Sequence, residues 1–372
     1  MIVTLFLFMQ EVLFELIRNE LWRNGSVDIS LTDEEVSVLF KSANKQAVSG
    51  LIINSLLRNN ASISKTALLR MLSLDARIKQ TNKSINDELV RFALLMDKNN
   101  IEYFVVKGQT VAVNYPDSLQ RMPGDVDFYC DSENYNRAKV VFEEILGCKI
   151  IGHSAKHVEF KINDVQFEMH SKLTEFSYWK HNKYWEGILK EDIDKFDKYI
   201  IQINGTGIPV LSPTLNTLYL FCHIFYHLII NGIGLRQFCD LALYLNRYKD
   251  NINKEDLDNH LRKLGIKKVF VASGYILIDI LGLPEEDFPY VLTEKDRVNG
   301  IRILDSVMTD GNWAMDRHTI RKKGFLHSLE TGCICLKQSM KYIDMAPMET
   351  IFRMPKLGEF FIWKLFNRAN NP

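Results

Sequence analysis

The sequence lacks three features that would quickly assign a protein to a class: an excess of one charge, a cysteine framework and a long apolar run. Its 372 residues carry 46 basic and 46 acidic side chains, which argues against a protein whose main task is to coat nucleic acid. The six cysteines form no CxxC pair, so neither a zinc ribbon nor a disulfide scaffold is indicated. We therefore expect a cytoplasmic protein with reduced thiols and no extensive nucleic-acid surface.

The most apolar stretch, residues 1–17, is too short to span a membrane. Gln10, Glu11 and Glu15 interrupt it well before the ~20 apolar residues that a spanning helix needs. It also lacks the basic start and the small-residue cleavage site of a signal peptide. The stretch predicts a buried first helix and no transmembrane segment, with a peripheral membrane contact as the alternative.

Hydrophobic periodicity divides the chain into three parts. Residues 1–97 and 212–372 repeat apolar side chains at three- and four-residue spacing, as amphipathic or buried helices do. In the first part Asp33 is the expected N-cap, and Asn99-Asn100 is the expected stop. Residues 98–211 instead contain short alternating runs. The sequence predicts an α+β fold in which N-terminal and C-terminal helical regions flank a small mixed sheet.

The middle part predicts the order strand, helix, strand, helix, strand, strand. A run of β-branched and aromatic residues ends at Lys107-Gly108, and Ser132 is the expected cap of an amphipathic helix. Asn163-Asp164 separates two alternating runs and predicts a β-hairpin. The predicted elements are strand 101–106, helix 109–115, strand 125–129, helix 132–146 and the hairpin strands 157–162 and 165–170.

Asp125 and Asp127 carry the strongest chemical signal. Residues two apart on a strand point to the same face, so both carboxylates project together while Val126 and Phe128 enter the core. The two charges repel each other, and a divalent cation such as Mg²⁺ removes the repulsion through oxygen ligands. A solvated acidic pair without a metal is the alternative.

Two further segments strengthen the metal interpretation. The turn at Lys107-Gly108 precedes a helix, so its amides can hold phosphate oxygens, with charge added by Lys107 and Arg121. Glu168 lies on the polar face of the second hairpin strand, beside His170. If that strand lies next to the Asp125 strand, three carboxylates converge, an arrangement suited to two-metal phosphoryl or nucleotidyl transfer.

Residues 104–129 resemble the polymerase-β-like nucleotidyltransferase superfamily, and more narrowly a bacterial family of uncharacterised nucleotidyltransferases. In that family a strand ends in Lys-Gly, then follow Tyr-Pro, an Arg and an Asp-x-Asp strand. Further matches are a carboxylate two residues before a histidine, a helical histidine, and an Arg and Asp on the next helix. The matching residues, over a resemblance spanning residues 101–248, are Lys107-Gly108, Tyr115-Pro116, Arg121, Asp125, Asp127, Glu168, His170, His223 or His227, Arg236 and Asp240.

The resemblance implies transfer of a nucleoside monophosphate from a nucleoside triphosphate to an acceptor hydroxyl, with release of pyrophosphate. The implied metal ligands for Mg²⁺ or Mn²⁺ are Asp125, Asp127 and Glu168. Lys107, Gly108, Gln109 and Arg121 would bind the nucleotide. His170, His223 and Arg236 would face the acceptor, which the sequence leaves open as a small molecule, a sugar or a peptide.

One departure from the superfamily pattern supports a second hypothesis. Superfamily members carry a Gly-Ser or Gly-Gly pair shortly before the acidic strand, whereas Gly108-Gln109 lies 17 residues before Asp125. The chain would then be a catalytically inactive relative that binds a nucleotide or a partner.

The histidines and charges of the C-terminal part allow simpler interpretations. His223 and His227 share a helix face, as a zinc pair does, but Ile224 replaces a hydrolytic glutamate. We favour two packed imidazoles, bonded to Arg236 or Asp240, over a zinc hydrolase. Arg236 and Asp240 predict an intrahelical ion pair. The basic run 317–323 is interpreted as a solvated surface, and FFIWKLF at 360–366 as a docked helix.

Overall fold

The computed structural model describes residues 2–148, 150, 157–195, 198–230, 232–311 and 335–353. The predicted basic run 317–323 and the predicted helix 360–366 lie outside these residues. Within the described residues, no helix is both long and apolar enough to cross a bilayer.

Four helices form the N-terminal region: α1 (Ile2–Trp22), α2 (Asp33–Lys45), α3 (Ser49–Arg58) and α4 (Lys65–Lys98). The predicted first helix is present and is buried at Leu13 and Ile17, whereas Leu7 and Phe8 near its start are exposed. The predicted cap is wrong by one residue. Thr32 accepts from the Glu35 amide while Glu35 bonds back to Thr32, a reciprocal arrangement that satisfies two orphan donors.

A small mixed sheet follows, with strands β1 (Phe104–Val106), β2 (Val126–Tyr129), β3 (His157–Ile162) and β4 (Val165–His170). Their order is β1-β2-β4-β3, where β2 and β4 are parallel and the outer pairs are antiparallel. The predicted hairpin is confirmed, because Ile162 pairs with Val165 across the turn. The intervening helices are α5 (Gln109–Ala112) and α6 (Ser132–Val140).

Some elements of the middle part differ from the prediction. Asp131, not Ser132, caps α6, because its carboxylate accepts from the Asn134 amide. Helix α7 (Trp179–Ile193) and a separate hairpin, β5 (Tyr199–Ile203) with β6 (Thr206–Val210), were not predicted. The Asn204-Gly205 dipeptide at the tip of that hairpin is a standard hairpin signal.

Where the structure describes it, the C-terminal region is helical, as predicted. Its helices are α8 (Pro213–Ile230), α9 (Leu235–Tyr248), α10 (Lys254–Lys263), α11 (Lys267–Tyr275) and α12 (Glu294–Asp310), followed by helical residues 335–340 and 347–353. Side chains from these helices and from α1–α3 belong to one hydrophobic core.

A second core lies between the sheet and the C-terminal half of α4. Phe92 of α4 contacts Phe128 of β2 and Phe167 of β4, with ring centroids 4.6 and 5.3 Å away. The apolar face of the sheet is therefore covered by α4. The opposite, polar face of β2 and β4 is left to face the C-terminal helices.

Candidate active site

The parallel pairing of β2 and β4 brings the predicted carboxylates together. Asp127 lies directly opposite Glu168 in the register, and Asp125 immediately precedes the first residue of β2. Val126 and Phe128 are buried in the core behind them. The prediction that the two aspartates share a face while their neighbours enter the core is confirmed.

Lys107 reaches the same point from the turn after β1. Its Nζ lies 3.0 Å from Oδ1 of Asp127. Lys107 and Gly108 both have positive φ angles, 60° and 57°, a conformation that costs energy in a lysine and is found disproportionately at functional sites. A Cβ at position 108 would stand 3.4 Å from the Asp125 carbonyl. The turn is thus bent tightly against the start of β2.

His170 completes the cluster from the next position on the polar face of β4. Its Nε2 lies 2.9 Å from Oδ1 of Asp127 and 3.5 Å from Oε2 of Glu168. Ligand atoms of Asp127, Glu168 and His170 all lie within 4.8 Å of one another. Two carboxylates and an imidazole fit a divalent cation, and carboxylate oxygens suit Mg²⁺ and Mn²⁺. The convergent group therefore includes His170, which the sequence placed on the acceptor side. Among the described residues it does not include Asp125, which the sequence predicted as the third carboxylate of the group.

The carboxylates of this cluster differ in their affinity for protons. Burial alone would raise the pKa of Asp127, but the Lys107 ammonium and the bond from His170 lower it to about 2. Burial, followed by the charge of Asp127, raises the pKa of Glu168 to about 7. Burial and Asp127 also raise the pKa of Asp125. One carboxylate is held ionised while its neighbours resist ionisation, as expected where negative charges await a cation.

These side chains line one wall of a cavity of about 370 Å³, which we call the cleft. We call Lys107, Asp125, Asp127 and Glu168 the sheet wall. The helical wall, supplied by α8 and α9, consists of His223, His227, Arg236, Gln237 and Asp240. The volume suits a small ligand, and the two walls join residues that lie far apart in the sequence.

The two histidines of the helical wall are in edge contact, with ring centroids 4.4 Å apart. Burial and the Lys107 charge lower the pKa of His223 well below its usual value and that of His227 to about 4. Both imidazoles are therefore neutral at pH 7. Among the described residues, neither belongs to a group of three convergent metal-ligating side chains, and neither bonds to Arg236 or Asp240.

The predicted ion pair between Arg236 and Asp240 is wrong. Asp240 instead pairs in bidentate fashion with Arg121, at 2.8 Å to Nε and 2.7 Å to Nη2, and accepts from the Tyr115 hydroxyl at 2.7 Å. Arg236 donates from Nη1 to the carbonyls of Met122 and Pro123. Long-range contacts replace the local pair, because the loop before β2 passes beside α9.

The predicted nucleotide-binding residues take different positions. Lys107, Gly108 and Arg121 all line the cleft, although the Arg121 guanidinium is engaged by Asp240. Gln109 is buried, and its Nε2 donates to Oδ1 of Asn86 on α4 at 2.6 Å. Gln237, which the sequence analysis missed, also lines the cleft. No local pattern distinguishes it from a surface glutamine of a helix.

Comparisons with known proteins identify the family of this chain. The crystal structure of an antigenic nucleotidyltransferase-like protein from Paracoccidioides brasiliensis matches over 50% of this chain and 90% of its own, with 15% identity and a TM-score of 0.33. That similarity is too distant to assign residues, and no curated protein matches the chain. A family model matches residues 32–282, which include the sheet and both walls of the cleft. The chain belongs to the family of uncharacterised nucleotidyltransferases.

Proposed function

We propose that the protein is a metal-dependent nucleotidyltransferase that moves a nucleoside monophosphate from a nucleoside triphosphate to an acceptor hydroxyl. The observation that carries the proposal is the convergence of Asp125, Asp127 and Glu168 with Lys107 in one cleft. The Lys-Gly turn and the Asp-x-Asp pair are the motifs through which the sequence resembles the polymerase-β-like superfamily, and they support the proposal.

The carboxylates would hold Mg²⁺ or Mn²⁺, with His170 as a further ligand from β4. When bound, the cation supplies positive charge that stabilises the attacking and leaving oxygens. Lys107 and the Gly108 turn would bind the β- and γ-phosphates. Asp127 is held ionised for the cation, because Lys107 and His170 keep its pKa at about 2.

The reaction follows from these positions. The acceptor oxygen attacks the α-phosphorus, a new P–O bond forms, and the bond to the bridging α–β oxygen breaks. Pyrophosphate carries away the electrons of the broken bond, and Lys107 neutralises part of its charge. The proton of the acceptor hydroxyl leaves toward Glu168, on the acceptor side of the site. The neutral imidazoles of His223 and His227 and the amide of Gln237 provide polar contacts for the acceptor.

A catalytically inactive, nucleotide-binding relative is the second candidate. It is favoured by Gln109, which stands where the superfamily places a serine or glycine and faces Asn86 rather than the cleft. Both candidates bind a triphosphate, and only the first transfers its α-phosphoryl group.

Thermal unfolding with Mg²⁺ and each of ATP, CTP, GTP and UTP tests the binding step. We expect one or more triphosphates to stabilise the wild type by about 2.7 kcal/mol at 100 times Kd, and Asp125→Ala to abolish this. Asp164→Asn, a carboxylate change in the β3–β4 turn, is the matched control. If no triphosphate stabilises the wild type, the proposal is wrong.

Transfer itself is tested with α-phosphate-labelled triphosphate and a small-molecule cell extract. The proposal predicts a labelled product, formed with one pyrophosphate per transfer and absent with Asp127→Asn. Triphosphate binding without any label transfer supports the inactive relative.

A further inference from the structure

Helix α9 is tied to the loop before β2 by contacts that run in both directions. The loop residue Arg121 extends to Asp240 of α9, and Arg236 of α9 extends back to the loop carbonyls of Met122 and Pro123, at 3.2 and 3.3 Å. These contacts bracket the loop within four residues of Asp125. We call Arg121, Arg236 and Asp240 the clamp.

The first half of the clamp is an almost completely buried ion pair. Arg121 and Asp240 are each 4% exposed, and the Tyr115 hydroxyl adds a third bond to the carboxylate. Bidentate geometry fixes the direction of the guanidinium as well as its distance. The path of the chain at position 121 is therefore set by a residue of the C-terminal region.

The second half places a guanidinium without a direct ion-pair partner, although Asp240 and Asp125 attract it at longer range. Among the described residues, no carboxylate lies within ion-pair distance of Arg236, and its Nε is buried without a hydrogen-bond partner. An apolar residue there would avoid the cost of burying a charge. The Arg236 guanidinium instead donates to two backbone carbonyls just before Gly124. A Cβ placed at position 124 would lie 3.6 Å from Nη1 of Arg236.

Other elements fix the remaining parts of this arrangement. Asn82 of α4 donates to the carbonyls of Leu119 and Arg121 at 2.6 and 2.8 Å. Gln46 accepts hydrogen bonds from the backbone amides of Leu235 and Arg236 at the start of α9. The loop is thus held between two anchored helices, and it leads directly into Asp125, which lines the cleft.

We propose that the clamp is a positioning device, through which the C-terminal helical region sets the place of Asp125 in the metal site. That Asp125 binds a metal rests on the proposed function. That the clamp holds the loop in place rests on the geometry alone. Arg121 then acts through the loop, rather than on phosphate as its place in the sequence indicated. The clamp residues act through Asp125 and need not touch a substrate.

Mn²⁺ binding, measured by isothermal titration, tests the clamp without any turnover. Arg236→Gln removes the contacts to the loop and leaves the buried ion pair intact. We expect it to weaken Mn²⁺ binding about 10- to 100-fold, the range for residues that orient metal ligands. Asp287→Asn, another buried acid of the C-terminal region that accepts from Lys249 and Asn246, should leave the affinity unchanged.

A double-mutant cycle separates positioning from general loosening. If Arg236 acts through Asp125, then Arg236→Gln has no further effect on Mn²⁺ affinity once Asp125→Asn is present. Additive losses would overturn the proposal, and so would an Arg236→Gln affinity equal to that of the wild type.

Amide hydrogen exchange of the metal-free protein tests the mechanical part by itself. We expect exchange at residues 122 and 124–126 to be about tenfold faster in Arg236→Gln, the scale of one bond to a charged group. Asp240→Asn should act in the same direction. Unchanged exchange would overturn the clamp. Failure of the wild type to bind Mn²⁺ would instead refute the proposed function and leave the exchange result to decide the clamp.

Discussion

The two walls of the cleft are built on opposite electrostatic principles. On the sheet wall, neighbouring carboxylates repel each other, and the pKa of Glu168 is raised to about 7. On the helical wall, Asp240 is fully paired with Arg121 and Tyr115, and the imidazoles are neutral. Without a cation, the repulsion on the sheet wall lowers the free energy of unfolding, whereas the ion pair on the helical wall raises it. The two walls should therefore respond differently to substitution: removing a carboxylate from the sheet wall relieves repulsion, whereas removing Arg121 or Asp240 leaves a buried charge unpaired.

The largest effect should come from breaking the ion pair of the helical wall. Arg121→Met leaves Asp240 buried with only the Tyr115 bond, and truncating one partner of a buried pair costs about 3–5 kcal/mol. We expect denaturant unfolding to show a loss of this size.

A double variant makes that result specific. Arg121→Met combined with Asp240→Leu removes both charges and should recover most of the lost stability. If the single variant is as stable as the wild type, the helical wall is not held in this way.

The next effect concerns the imidazoles, which burial keeps neutral. The pKa of His227 in the folded protein is about 4, below its ordinary 6.5, so the unfolded chain binds more protons between these values. Stability is therefore lost as pH falls from 6.5 toward 4. Between pH 7 and 4.5, the free energy of unfolding should fall by about 2 kcal/mol less in His227→Gln than in the wild type. Unfolding measured at each pH tests this. Parallel curves for the two proteins would contradict the neutral assignment.

The smallest effect should have the opposite sign and arise on the sheet wall. The pKa of Glu168 is raised from 4.5 to about 7, so its contribution to stability falls as pH rises through this interval. Without metal, Glu168→Gln should stabilise the protein by about 1–2 kcal/mol at pH 8. The difference should vanish at pH 4, where both side chains are neutral. If Glu168→Gln is less stable than the wild type at pH 8, the ionised Glu168 carboxylate does not destabilise the folded protein.

The sequence predicted the sheet wall better than the helical wall, for physical reasons. Alternation fixes which face Asp125 and Asp127 share, and the hairpin turn fixes the face of Glu168. The parallel pairing of β2 with β4, which the sequence left open, then brings Asp127 and Glu168 together. Helical spacing predicts only local partners, and it therefore paired Arg236 with Asp240. The true partner of Asp240 lies 119 residues earlier in the chain, a contact that only the packing of α9 on the loop creates.

The caps and the second hairpin show the same limit on a smaller scale. The observed caps, Thr32 and Asp131, each lie one residue before the predicted cap. The position of a cap depends on which side chain reaches the unpaired backbone amide. The β5–β6 hairpin carried a usable Asn-Gly signal that the sequence analysis did not apply.

Binding of Mn²⁺ to the wild type and to Asp127→Asn, followed by electron paramagnetic resonance of the free ion, tests the proposed metal site. We expect the wild type to remove free Mn²⁺ from solution at one or two sites, Asp127→Asn to leave the ion free, and Asp164→Asn to behave as the wild type does. Equal binding by the wild type and Asp127→Asn, or no binding by the wild type, would contradict the proposed metal site.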